Sequence, residues 1–143
     1  TPAYAILSGL VGSEMCIRDR DSGGPGTSRG GLGQELIFEA YEPGTAPKQP
    51  LVFSGAAGRM RFPPQGLGGG KPGALARISV DDKPIAPSSS PEFPFKIGEV
   101  VHLQLPGGGG HGDPAERDAA EIERDLKAGY VTPEGAKRDY NFE

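Results

Sequence analysis

The sequence predicts an α+β fold: short, mainly antiparallel strands joined by Gly/Pro-rich loops, with a C-terminal helical tail. Strand-length apolar runs recur from residue 35 to residue 105, each closed by Gly or Pro. A helical apolar period starts only after Asp113. Composition adds a third observation. Of 143 residues, 24 are Gly and 15 are Pro, while hydrophobic residues reach only 35% and Trp is absent. A self-sufficient core would be thin, and the glycine clusters fit long active loops or a piece of a larger protein.

The first twenty residues differ in texture from the rest. Residues 5–20 look like a translated sequencing-adaptor remnant, so 1–20 is expected to be an artefactual or disordered segment. As a signal peptide it is poor, since no basic stretch precedes the apolar part and Ser8, Gly9 and Gly12 interrupt it. Met15 and Cys16 therefore carry no functional weight. The domain is expected over 21–143.

From Asp21 a glycine-rich loop runs to Gln34 and contains Arg29. A strand is expected over 35–41, followed by a Pro/Gly turn over 42–50 and a second strand over 51–55. Residues 59–62 read as a third strand stopped by Pro63 and Pro64, which cannot donate to a ladder; Arg59 and Arg61 would pair with acids on neighbouring strands. Another glycine cluster occupies 66–70. Leu75, Ile78 and Val80 anchor a further strand that turns at 81–84. Phe93, Phe95 and Ile97 alternate, and a turn at 96–99 leads into a strand over 100–105.

The run Pro106-Gly107-Gly108-Gly109-Gly110-His111-Gly112-Asp113-Pro114 then reads as strand, glycine loop, helix. Asp113 can cap the helix, Pro114 fits its first position, and Glu116 completes a capping-box signature. Ala115, Ala119, Ile122 and Leu126 form the apolar side of that helix. Glu116, Arg117, Asp118, Glu121, Glu123, Arg124 and Asp125 form a charged side expected to be solvated. Gly129 ends the helix, and Thr132-Pro133 start a short second one marked by Ala136 and Tyr140.

A net charge of −4, with 15 basic residues spread along the chain, argues against a nucleic-acid surface. No apolar stretch is long enough to span a membrane. A lone Cys cannot form an internal disulfide, which fits a reducing, cytoplasmic compartment.

Two readings exist for the 106–114 loop. Glycine amides beside a helix start can hold a phosphate or carboxylate. Alternatively, glycines simply admit a tight crossover against neighbouring main chain, the leading reading. The pattern is neither a P-loop nor GxGxxG. The contact candidates for a substrate or phosphate are Arg29, Gly30, Gly31, Gln34, Gly107, Gly108, Gly109, Gly110 and Asp113. Arg29 carries a fork suited to oxyanions, balanced against a structural salt bridge. His111 is an acid/base candidate because imidazole titrates near neutrality. His102 lies mid-strand and reads as a surface or internally satisfied side chain. No metal ligands are assigned.

Residues 29–34, 61–67, 106–114 and 127–134 together resemble the C-terminal part of the hydantoinase B/oxoprolinase family, in one order across 21–143. That family includes 5-oxoprolinase, N-methylhydantoinase and the large subunits of ketone carboxylases. The resemblance implies ATP-driven chemistry on a cyclic amide or ketone, begun by a partner with an actin-like ATP fold, the hydantoinase A-type subunit or domain. It also implies Mg-ATP and a divalent metal bound outside this stretch, the metal motif lying upstream in the same polypeptide. A small-molecule substrate is shared with those partners, and the isolated piece is expected to be inactive. At position 111 the family more often carries an aromatic; His keeps a planar ring. The alternative is a non-catalytic assembly module of a hydantoinase-like or ketone carboxylase-like complex.

Overall fold

The computed structural model describes residues 11–40 and 51–142. Among the described residues seven strands come first: β1 (Val11–Asp19), β2 (Gly33–Ala40), β3 (Leu51–Ser54), β4 (Arg77–Val80), β5 (Lys83–Pro84), β6 (Glu92–Phe95) and β7 (Val100–Gln104). Two helices follow, α1 (Ala119–Lys127) and α2 (Pro133–Tyr140). The α+β architecture with a helical C-terminal end is the one the sequence predicts. The turn expected over 42–50 lies outside the described residues.

The larger sheet has the order β1-β2-β7-β4-β5, antiparallel throughout, and β3 pairs with β6 in a smaller sheet. Register explains the core. Phe38 faces Val101, which faces Val80, while Leu103 faces Ile78, so these apolar side chains share one face. Val101 and Ile78 are buried there with Met60, Ala76 and Phe95. From the smaller sheet, Phe53 and Phe93 stack with centroids 5.0 Å apart and join this core. On the opposite face Glu35, Gln104 and Arg77 lie in one row, with Ile37, His102 and Ser79 in the next.

β1 falls within the segment set apart in the sequence. Its backbone pairs with β2, from Val11 opposite Ala40 to Asp19 opposite Gly33. Ladder bonds use main-chain groups that every non-proline residue carries, so this pairing demands little of side-chain identity.

Turn chemistry follows local rules. Asp81 and Asp82 have φ of 46° and 63°, as a two-residue type I′ connection between β4 and β5 requires. Pro84 sits on the edge strand, where no neighbour needs its missing N–H. Two local expectations fail. Residues 59–62 form no strand; Gly58–Met60 is a 3-10 turn closed by the Met60 amide donating to the Ala57 carbonyl at 2.9 Å. Burying Met60 in the main core drives this; Arg59 donates to the Pro63 carbonyl and Arg61 lies over the Phe62 ring, and among the described residues neither pairs with an acid. The helix expected from Asp113 is likewise divided. Pro114–Glu116 is a 3-10 turn, Arg117 is extended, and Asp118 caps α1 anew by accepting from the Ala120 amide at 3.0 Å.

A second core of Ile122, Val131, Ala136 and Tyr140 joins the helices. Ala115 and Ala119, assigned to the apolar side, are exposed because the broken helix turns them outward. Between α1 and α2, Gly129 at φ 70° sets a Schellman ending: the Tyr130 amide donates to Asp125 at 2.9 Å and the Gly129 amide to Leu126 at 3.0 Å. That ending delivers Tyr130 to the loop carrying Arg29.

Candidate functional site

The glycine crossover after β7 threads between two other loops of the same chain. Gly24 donates to the Gly108 carbonyl and Gly108 to that of Gly31, both at 2.8 Å. Gly110 donates to Lys71 at 2.9 Å, Lys71 to Pro25 at 2.8 Å, and Leu67 back to Gly110 at 2.9 Å. Ser28 and His111 exchange both backbone bonds at 2.9 Å. Loops 22–31, 64–73 and 106–112 are thus laced by main-chain hydrogen bonds, and Gly107–Gly110 avoid the left-handed region. What glycine supplies here is close approach. A Cβ on Gly109 would stand 2.0 Å from the Gln65 carbonyl oxygen, and one on Gly107 2.1 Å from that of Ser22. Real side chains never come so close, so only a residue without Cβ fits.

Arg29, Gly30, Gly31 and Gln34 surround one open cavity of about 350 Å³, completed by Leu32 and Tyr130. Gly108 touches this group through its bond to Gly31. Gly107, Gly109 and Gly110 are bound into the crossover instead. Asp113 accepts from the Ala115 amide at 2.9 Å, the capping role its position suggests. His111 is exposed, on the side of the crossover facing Leu67 and Ser28. His102 is half-buried, with its Nδ1 3.4 Å from Glu35 Oε1.

Arg29 has a partner that the sequence reading missed. Its Nε donates to Asp125 Oδ2 at 2.8 Å and its Nη2 to Oδ1 at 3.3 Å. Nη1 donates to its neighbour's carbonyl, Gly30 O, at 2.8 Å. Arg117 donates from Nη2 to the same Oδ2 at 2.8 Å and from Nη1 to the Thr27 carbonyl at 3.1 Å. The two guanidiniums lie over the rings of Tyr130 and Tyr140, at 5.5 and 5.6 Å. Asp125 is only 5% exposed. The charged side of the helix is therefore not uniformly solvated: Arg117 and Asp125 turn inward and bind the Arg29 loop to the helical tail. Arg117 Nε is buried without a hydrogen-bond partner among the described residues. The i, i+4 spacing of Glu121 and Asp125 on a helical stretch gave no sign of this, because the partner is 96 residues away.

Asp21 makes the second tie. At φ 57°, it accepts from the Thr132 amide at 2.9 Å and the Thr132 hydroxyl at 2.6 Å, joining the start of the glycine loop to the start of α2. Among the described residues three ionisable groups are displaced, Arg138 upward by its hydrogen bond to Asp139. Burial, with the nearby Glu35 and Asp21 charges, pushes the Asp19 carboxyl above its ordinary range, opposed by Arg77. Burial also raises Tyr140, against the Arg117 charge.

Among the described residues no three His, Cys, Asp or Glu side chains converge into a metal-holding group. His102 is beside Glu35, His111 is apart from it, and Asp125 is enclosed by guanidiniums, so these residues do not fit the divalent metal that the resemblance implies. Among the described residues no helix is long and apolar enough to cross a membrane.

This fold recurs in much larger ATP-dependent enzymes. Acetone carboxylase, in its nucleotide-free structure, superposes with a TM-score of 0.68 at 20% identity, over 94% of this chain and 22% of that one. The ATP-dependent caprolactamase from Pseudomonas jessenii gives a TM-score of 0.64 at 23% identity, over 92% and 23%. In sequence, residues 11–114 match the hydantoinase B/oxoprolinase family model, and the chain belongs to that family. A protein of Methanocaldococcus jannaschii is 34% identical over 129 residues, covering 89% of this chain and 22% of its own length. The B-type polypeptide of a putative D-/L-hydantoinase from Pseudomonas sp. strain NS671 is 30% identical over 87% of this chain. The beta chain of the Pseudomonas jessenii caprolactamase is 32% identical over 84%. The chain spans about a fifth of the length of these relatives, 20–22%.

Proposed function

We propose that this chain is the C-terminal part of a subunit that opens a cyclic amide of the 5-oxoproline or hydantoin type at the expense of ATP. A hydantoinase A-type partner would phosphorylate the substrate, and Mg-ATP and the divalent metal would bind outside the segment seen here. The observation that carries the reading is the laced glycine crossover: it holds the Arg29–Asp125–Arg117 group rigidly beside an open cavity, as a substrate-positioning wall requires. Membership of the family, and relatives named as hydantoinase and caprolactamase components, support the reaction class. Alone, the chain would lack turnover.

A second reading, a non-catalytic assembly module, is favoured by the internal use of Arg29 and of the Gly24, Gly108 and Gly110 amides. One substitution placed in an intact homologous enzyme separates them. At the position of Gly31 a Cβ meets nothing within 4 Å, so the Gly31→Leu side chain leaves the backbone into open space beside the cavity. Turnover lost in that variant, with assembly unchanged, supports a substrate wall. Full turnover refutes it and leaves the scaffold.

A further inference from the structure

Asp125 offers one negative charge to two guanidiniums. Glu121 stands 3.7 Å from Arg117 Nη2, but its side chain is 39% exposed and its charge is screened by water. Arg29 therefore shares its buried counter-ion with Arg117, and Arg29 also lines the cavity. Of the five N–H donors of a guanidinium, three on Arg29 are committed among the described residues, to Asp125 twice and to Gly30 once. Its other two belong to Nη1 and Nη2, on a side chain 14% exposed.

The remaining walls point the same way. Gly31 is exposed and has no left-handed φ, and a Cβ there meets nothing within 4 Å, unlike one on any of Gly107–Gly110. Its missing side chain instead keeps the cavity open. Gln34 adds an exposed amide that can donate, and Leu32 and Tyr130 add apolar surface. A guanidinium that shares its buried counter-ion, a side-chain amide donor and an apolar flank suit a small monoanion with a short hydrocarbon body. We propose that the cavity walled by Arg29, Gly31, Leu32, Gln34 and Tyr130 is a subsite for a small organic carboxylate. This deepens the enzymatic reading above and rests on it, but its test needs no turnover.

The test is titration of the 143-residue chain with butyrate, inorganic phosphate and butanol at fixed ionic strength, followed through the amide resonances of Gly31 and the Gln34 side chain. Butyrate should give saturable shifts, with affinity at least about tenfold weaker in Gly31→Leu and for neutral butanol. Gly31→Ala should fall between, and a spectrum otherwise like the parent's shows that each variant is folded. Unsaturable shifts, equal binding by Gly31→Leu or butanol, or phosphate bound more tightly than butyrate would each overturn the assignment. A negative titration removes the subsite alone, whereas the Gly31→Leu turnover assay in the intact enzyme decides the enzymatic role.

Discussion

Replacing Asp125 with Ala removes the carboxylate that joins the Arg29 loop to the helical tail. Three charge-assisted bonds go at once, from Arg29 Nε at 2.8 Å, Arg29 Nη2 at 3.3 Å and Arg117 Nη2 at 2.8 Å. Arg29, 14% exposed, would then lose its carboxylate partner, and Arg117, 5% exposed, would keep only Glu121 at 3.7 Å. Breaking a buried pair in this way costs about 3–5 kcal/mol, chiefly because the remaining charge has lost its water. Such a loss is a large share of the roughly 5–15 kcal/mol that holds an ordinary domain folded. At about 3 °C per kcal/mol for a chain of this size, the melting temperature followed by circular dichroism falls by about 9–15 °C. The triple variant Arg29→Met, Arg117→Met, Asp125→Leu should recover most of that loss, since an apolar replacement of a whole buried group is often neutral. A single Asp125→Ala variant melting within about 3 °C of the parent would refute the argument, for then the carboxylate would contribute under about 1 kcal/mol.

Gly109→Ala forces a methyl group to within 2.0 Å of the Gln65 carbonyl and should lower stability to urea by about 3 kcal/mol or more, while Gly31→Ala, in open space, should change it by less than about 1 kcal/mol. Equal effects would show that the crossover is not sterically closed. Gly135→Ala places its Cβ 2.3 Å from Asp21 Oδ1 and should cost about 1–3 kcal/mol by displacing the two Thr132 bonds. In a double-mutant cycle with Asp21→Ala the two losses should fall short of their sum. Tyr140 is held above its ordinary 10.0, so the native state retains a proton that the unfolded chain releases. Its contribution is complete below pH 10.0 and is lost as pH rises through the raised value; Tyr140→Phe should flatten the alkaline fall in urea midpoint, and an unchanged slope would contradict the burial argument.

How much the sequence disclosed depends on the range of the forces involved. Strands around Leu36–Phe38, Leu51–Phe53 and Val100–Leu103 were legible because alternation and Pro or Gly stops act over a few residues. Caps at Asp113 and Thr132 and the ending at Gly129 were legible for the same reason, each being a contact within one helical turn. Met60 shows the limit. Its strand-like neighbours suggested an extended segment, but burial against Ile78 and Phe95 favoured a 3-10 turn. The cavity was half legible: Arg29, Gly30, Gly31 and Gln34 are close in sequence, while Tyr130 reaches them only through the fold.

By itself, then, the sequence determined the strand-rich body, the helical tail, their local stops and the importance of the glycine runs. Tertiary structure alone decided which glycines are packed against carbonyls and which, like Gly31, border open space. It also decided that Asp125 is a buried counter-ion rather than a solvated helix charge. The physical reason is that periodicity and capping are settled among near neighbours, whereas burial and charge pairing depend on groups as distant as the 96 residues between Arg29 and Asp125.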